Sequence, residues 1–159
     1  MKALLASLVL LPLALTSARA QQRPLVQFKN PPVVVAPNGY SQAVAVDLGT
    51  ATMLILSGQV PVNARKELVG AGDLTKQAEQ VFQNIKLLVE ASGGQMRDVV
   101  KLTFFLTDLG QVPAVRAVRD RYVNTAQPPA STAVQVSRLV QPAWLLEVEA
   151  TAVIPAKRP

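Results

Sequence analysis

The sequence predicts an α+β fold, one sheet with two helices packed on one of its faces. Three observations carry this. The chain has 159 residues, half of them apolar, which suits a single domain able to bury roughly two thirds of its unfolded surface. Apolar residues recur with a period of two in several short runs and with a helical period in two others. Short connections rich in Gly, Pro, Asn and Asp separate these runs, which implies one sheet layered with helices.

The first 20 residues stand outside this fold. Lys2 is a basic start, Ala3 to Thr16 is rich in Leu, Ala and Val, and Ala18-Arg19-Ala20 matches the small-x-small pattern of a signal-peptidase site. The apolar run, roughly 14 residues, falls short of the ~20 that a spanning helix needs. An N-terminal membrane anchor or a buried helix are the alternatives. The order of charge, run and cleavage pattern favours a signal peptide over residues 1–20. The expected location is therefore periplasmic or secreted, with no membrane attachment after cleavage. No Cys follows the run, which excludes a lipoprotein anchor.

Residues 21–32 are polar and contain proline, and they read as an extended, exposed lead-in. The domain is expected over 33–155, with a tail over 156–159. Val33 to Ala36 is a short β-branched run closed by the turn signal Pro37-Asn38-Gly39. Ser41 to Asp47 alternates, with Ala43 and Ala45 on one face and Val44 and Val46 on the other. A turn at Leu48-Gly49-Thr50 leads to a second strand, Thr52 to Ser57, ended by Gly58. Asp73 to Ala91 is the clearest helix. Leu74, Ala78, Val81, Phe82, Ile85, Leu88 and Val89 form one apolar stripe, Asp73 suits the N-cap, and Gly93-Gly94 supplies the stop. Gly70-Ala71-Gly72 lacks the spacing of a phosphate loop and reads as a turn.

Val99 to Thr107 is a strand with Val100, Leu102, Phe104 and Leu106 on one face. Val112 to Val123 is a second helix, with Val112, Val115, Val118 and Tyr122 inward and Pro113 in its first turn. Thr132 to Leu139 and Leu145 to Ile154 complete the sheet. On the last strand Leu146, Val148, Ala150, Ala152 and Ile154 should meet the helices. Glu147, Glu149, Thr151 and Val153 point the other way. A second face of this mixed character is often covered by self-association.

Composition excludes much chemistry. With no Cys and no His there is no thiolate nucleophile, no Cys/His zinc site and no triad with a His base. A metal site from oxygen ligands alone stays open, although no calcium-loop spacing is present. The 16 Lys+Arg exceed the 10 Asp+Glu, but the basic residues are scattered. Arg116, Arg119 and Arg121, interrupted by Asp120, read as a solvated helix face rather than a phosphate-tracking patch. Aromatics are only 4%, too few for a surface that stacks bases, so no nucleic-acid partner is expected.

Glu147 and Glu149 share one strand face at roughly 6–7 Å. They are either a solvated face or a pair whose mutual repulsion raises one pKa and makes a proton-transfer group. Asp47, Asp98 and Asp108 sit at strand ends or turns as local caps. Ser57 is either an exposed hydroxyl or, as its place before Gly58 favours, a turn former. No G-x-S-x-G or S-x-x-K arrangement arms any serine.

Several strings, in order, resemble the Rid family, the reactive intermediate deaminases. They are Pro37-Asn38-Gly39-Tyr40-Ser41-Gln42-Ala43 and Leu56-Ser57-Gly58-Gln59-Val60-Pro61-Val62-Asn63, then a helix with Gln77, Gln80 and Asn84. Asp98 through Leu109, Pro129-Ala130, Val134 through Leu139 and Glu147-Val148-Glu149-Ala150 complete the series. The resemblance covers about Tyr40 to Val153. It implies a chorismate-mutase-like fold and a homotrimer whose sheets form a central barrel-like core. It also implies a small-molecule pocket at each subunit interface. Active members hydrolyse small enamines and imines, such as 2-iminopropanoate, to 2-oxo acids and ammonia without a cofactor. By motif position Tyr40, Ser57 and Gly58 line the pocket, and Glu147 holds or activates the attacking water.

The chain departs from the family at the residue after Pro-Ala. Active deaminases carry there an Arg that grips the substrate carboxylate; here it is Ser131. A guanidinium matches a carboxylate in shape and charge, whereas a serine offers one neutral donor. The difference, on the order of 2 kcal/mol, is more than tenfold in affinity. Ala133 stands where the family often has Cys, and Arg116 aligns where an Asn commonly approaches the pocket. Arg116 is then either a relocated anion clamp or a surface helix arginine. Two functions follow: an imine or enamine hydrolase whose substrate differs from 2-imino acids, or a trimeric ligand-binding or protein-protecting module that has lost hydrolysis. RNA cleavage, a label sometimes attached to the family, is disfavoured by the missing His, the few aromatics and the dispersed charge.

Overall fold

The computed structural model describes residues 24–156. The signal peptide expected over 1–20 and most of the expected tail lie outside the described residues. The elements are β1 (Val26–Lys29), β2 (Ala43–Asp47), β3 (Ala51–Gln59), α1 (Leu74–Ala91), β4 (Val99–Leu106), α2 (Val112–Arg119), β5 (Ala130–Gln135) and β6 (Leu146–Pro155). The strands form one sheet in the order β1-β2-β3-β6-β4-β5. Every neighbouring pair is antiparallel except β4–β5, which are parallel and joined through α2. α1 lies across β3 and β6, with α2 beside it.

The α1 stripe is buried along its whole length, from Leu74 through Val89. Asp73 caps the helix by accepting from the Lys76 N–H, a bond that together with the Lys76 side chain holds the Asp73 carboxyl below its usual range. The helix ends in paired bonds from Gly93 N to Glu90 O and from Gly94 N to Val89 O. This ending requires the left-handed conformation that Gly93 adopts at φ 86°. Phe82 is the keystone between layers: its ring lies 6.3 Å from Phe104 of β4 and 5.3 Å from Tyr122 beyond α2. The Tyr122 hydroxyl donates to Glu79 of α1 at 2.9 Å, and Arg121 pairs with the same carboxylate.

On β6 the inward residues Leu146, Val148, Ala150, Ala152 and Ile154 are all buried, as the alternation predicts. Asp47, Asp98 and Asp108 each accept a nearby backbone N–H, as expected of local caps. The Gly70–Gly72 segment is a turn closed by Asp73 N to Gly70 O.

Five details differ from the sequence expectations. The lead-in contributes β1, a four-residue edge strand paired with β2. Val33–Ala36 is not a strand, although Val34 is buried in the core. Pro31, Pro32 and Pro37 flank that run, and the Gln42 side-chain amide takes the Val35 carbonyl at 2.6 Å in place of a ladder partner. Val100 does not face the core. The register passes from Val99↔Ala152 to Lys101↔Thr151, so Val100 is an extra residue that bulges outward and Val99 takes the inward position. α2 stops at Arg119, where bonds from Arg121 N to Val118 O and Tyr122 N to Arg119 O tighten the chain into i→i−3 turns. β5 runs over 130–135 rather than 132–139. Beyond the bond from Val136 N to Leu106 O its neighbour β4 has ended.

Two buried amides of α1 hold loops that the helix cannot otherwise reach. Asn84 donates to Val60 O at 3.1 Å and Val62 O at 3.0 Å. Gln77 donates to Ala143 O at 2.9 Å and Gly70 O at 3.1 Å, and accepts from Leu145 N at 2.8 Å. Gln77→Ala strands these backbone groups. It is expected to cost about 2–4 kcal/mol in urea unfolding, because a buried group left without its partner loses its full desolvation cost. Lys86→Ala, which removes only the exposed pair with Glu90, should change stability by less than about 0.5 kcal/mol.

Candidate functional site

β3 advances three residues from Leu56 to Gln59 while its partner β6 advances two, from Ala150 to Val148. The extra residue is a bulge at Ser57-Gly58, and it opens the ladder opposite Glu149, one pleat from Glu147. Glu147 leans into the space this creates. A Cβ on Gly58 would fall on Glu147 Oε1 and lie 2.6 Å from its Cδ. Only a residue without a side chain allows the carboxylate to lie there.

Glu147 is half-buried. Burial, and secondarily the charge of Glu149, hold its carboxyl above the usual glutamate range. Among the described residues no cation or hydrogen-bond donor offsets this. The structure sets the two carboxylates apart: Glu147 is half-buried over Gly58, while Glu149 is exposed.

Ser57 lies within β3, not at a turn, which corrects its reading as a turn former. Its hydroxyl donates to Ser41 O at 2.6 Å, tying the segment before β2 to the bulge and leaving only lone pairs to offer a ligand. Tyr40, Ser41, Ser57 and Phe28 line an open groove on this side, and the Tyr40 ring is half exposed. Beneath the bulge, Gln59 donates to Gln42 Oε1 at 3.0 Å and to Ser57 O at 2.9 Å. These two buried amides brace the site. Sequence reasoning gave them no role; Gln42 stands just before β2 and Gln59 ends β3, and neither position by itself announces a buried amide.

Arg116 and Ser131 meet elsewhere, on the helix-covered face of the sheet. They line a cavity of about 140 Å³ between α2 and β5, walled by Phe104, Leu106, Val115 and Ala133. Arg119 lines it too, so two of the three arginines read as a solvated face also border a cavity, Arg116 while remaining exposed. In one chain the sheet thus separates two groups: Tyr40, Ser57, Gly58 and Glu147 on the open face, Arg116 and Ser131 behind the edge strand. Among the described residues no group of three His, Cys, Asp or Glu side chains is placed to hold a metal ion. No helix among them is long and apolar enough to cross a membrane.

One sheet, two helices on one face and a carboxylate set over a glycine bulge define the class. The chain belongs to the Endoribonuclease L-PSP family, the Rid/RutC group, whose model matches residues 32–154. It is similar to Protein DfrA of Myxococcus xanthus, with 41% identity over 135 residues covering 85% of this chain and 98% of that one. It is also similar to the 2-iminobutanoate/2-iminopropanoate deaminase of Escherichia coli K12, with 39% identity over 127 residues covering 79% and 93%. Among solved structures, E. coli TdcF with bound serine superposes with a TM-score of 0.65 at 34% identity, covering 79% of this chain and 96% of that one.

The raised Glu147 pKa has a thermodynamic sign. The native state holds this proton more tightly than the unfolded state, so the group favours folding below the ordinary carboxylate range. That contribution is lost as pH rises through the raised native value. Glu147→Gln should therefore raise the urea midpoint at neutral pH, and the gain should vanish at acid pH. The comparison is made at fixed protein concentration. A gain independent of pH would contradict the assignment.

Proposed function

We propose that this chain hydrolyses small enamines or imines to oxo compounds and ammonia, on a substrate other than, or with weaker activity toward, the simple 2-imino acids. The observation that carries the reading is the half-buried, unpaired Glu147 carboxylate held over Gly58. The reacting species is the protonated imine, to which an enamine tautomerises. As water attacks its carbon, Glu147 takes one water proton while the C=N electron pair moves to nitrogen, giving a neutral carbinolamine. The Glu147 carboxyl then returns that proton to the amine, and as the C–N bond breaks and C=O forms the hydroxyl proton passes to the Glu147 carboxylate and on to the departing nitrogen, so an oxo compound and ammonium leave. Both steps are general acid–base chemistry, and a carboxyl with a raised pKa is suited to each direction of transfer. This sequence of steps uses no cofactor. The deaminase relative from E. coli and the serine carried by TdcF support a small ligand with nitrogen and carboxylate near one carbon.

The site is shared between copies of the chain. Glu147, Gly58, Ser57 and Tyr40 lie on the open face, and the Arg116–Ser131 cavity lies on the other. A homotrimer in which the open face of one copy meets the β5 edge of the next brings both groups to one ligand. The open face is suited to such contact: Ile55 is 42% and Val153 37% exposed on the isolated chain. Packed as a trimer, these sheets form the central barrel-like core. Ile55→Asp is expected to convert a trimeric mass in sedimentation equilibrium to a monomeric one, with the circular dichroism of the fold retained.

One observation favours a second reading. Ser131 stands where a carboxylate grip belongs, and a trimer that binds a small ligand or protects other proteins needs no turnover. The test is ammonia release from 2-iminopropanoate and 2-iminobutanoate generated in situ. The mature chain should release ammonia, with a rate that rises through a pKa above the ordinary carboxylate range. Ser131→Arg should be faster on these substrates, and Glu147→Gln slower by about 10²-fold or more. Release by neither the mature chain nor Ser131→Arg overturns the hydrolase and leaves the binding module.

A further inference from the structure

Arg116 and Arg119 are three residues apart on α2, so their side chains share one helix face. Two like charges at that spacing repel. Their place in the last turn, where the helix dipole favours cations, accounts for positive charge there but not for both residues bordering the same cavity. Arg119 is partly neutralised, since its Nε and Nη2 both donate to Asp120 Oδ1. Arg116 has no ion-pair or hydrogen-bond partner for its side chain among the described residues. No carboxylate lines the cavity.

Ser131 cannot supply the missing contact. Its one hydroxyl proton is donated to Pro129 O at 3.0 Å, and so engaged it has none for an anion in the cavity. Of the remaining walls, Phe104, Leu106, Val112, Val115 and Ala133 are apolar, and Thr132 adds a hydroxyl that accepts from Lys101 Nζ at 2.6 Å. The cavity of about 140 Å³ is close to the size of one that admits a benzene-sized molecule.

We propose that Arg116, with Arg119 beside it, is the anion-binding point of this protein. The cavity takes a small carboxylate of about seven heavy atoms or fewer, its charge on the α2 arginines and its short aliphatic body against Phe104 and Val115. The anion contact is thus carried by the helix instead of by β5. This deepens the function proposed above and rests on it for the reacting end of the ligand. The carboxylate approaches from the α2 side, which sets the distance between charge and C=N that the site accepts.

The test is equilibrium binding, which needs no turnover: calorimetric titration of the mature chain with 2-oxobutanoate and with neutral 2-butanone. The mature chain should bind 2-oxobutanoate with an affinity that falls as salt rises. Arg116→Ala should weaken this tenfold or more, Arg116→Lys should restore part of it, and 2-butanone should not distinguish the variants. Arg116 is exposed, so the unfolding midpoint of Arg116→Ala should match that of the parent and exclude a folding defect. Equal affinity in Arg116→Ala and parent, or no binding by the parent, overturns the inference. Loss of binding in Arg116→Ala without any ammonia release from the parent overturns hydrolysis but upholds the clamp. Ammonia release with binding indifferent to Arg116 does the reverse.

Discussion

The pleat of β6 is the constraint on which the rest of the molecule depends. This strand is paired on both edges, by β3 and β4, so its register cannot slip without breaking two ladders. Its inward residues are small or aliphatic, and α1 lies directly on them. A shift of one residue would carry Glu147 and Glu149 under the helix and expel Val148 and Ala150. Burial of one face therefore fixes which side chains the other face presents. The position of the carboxylate is a consequence of core packing.

The second determinant is local. An unbroken β3 ladder would place a side chain against Glu147. The bulge and Gly58 remove it, and the carboxylate settles half out of water with Glu149 as its charged neighbour among the described residues. The protein tolerates the cost of partly desolvating a charge because the buried amides of Gln42 and Gln59 fix the backbone around it. Sites that must hold and release a proton near neutrality are built from such imbalances, where burial and repulsion are left without compensation. On the opposite face the imbalance has the other sign: two guanidiniums border a cavity that no carboxylate among the described residues lines.

The elements that follow from a single period were legible in the sequence. The α1 stripe from Leu74 to Val89 and the β6 alternation are buried as read, and Asp73 and Gly93 bound the helix as their types dictate. What was misread depends on partners distant in the chain. Val100 fits the period-two pattern, but an extra residue against β6 turns it outward. β1 is only four residues long and takes its identity from pairing with β2. β5 ends where β4 ends, which no feature of β5 itself announces. At the site, Glu147 and Gly58 were legible through the family resemblance and not through spacing, since 88 residues separate them in the chain. The meeting of Arg116, Arg119 and Ser131 in one cavity depends on the parallel pairing of β5 with β4 after α2. Residue type alone did not place an arginine of α2 and Ser131 in the same cavity.

The most direct measurement is a carbon-13 NMR titration of the Glu147 side-chain carboxyl in the chain from residue 21 onward and in its Glu149→Gln variant. Burial is the larger cause of the shift and Glu149 the smaller. The pKa should therefore lie above the ordinary glutamate range and fall only part of the way when Glu149 is neutralised. A Glu147 that titrates in the ordinary range, or whose shift disappears entirely with Glu149, would contradict the account of a carboxylate made reactive by its seat over Gly58.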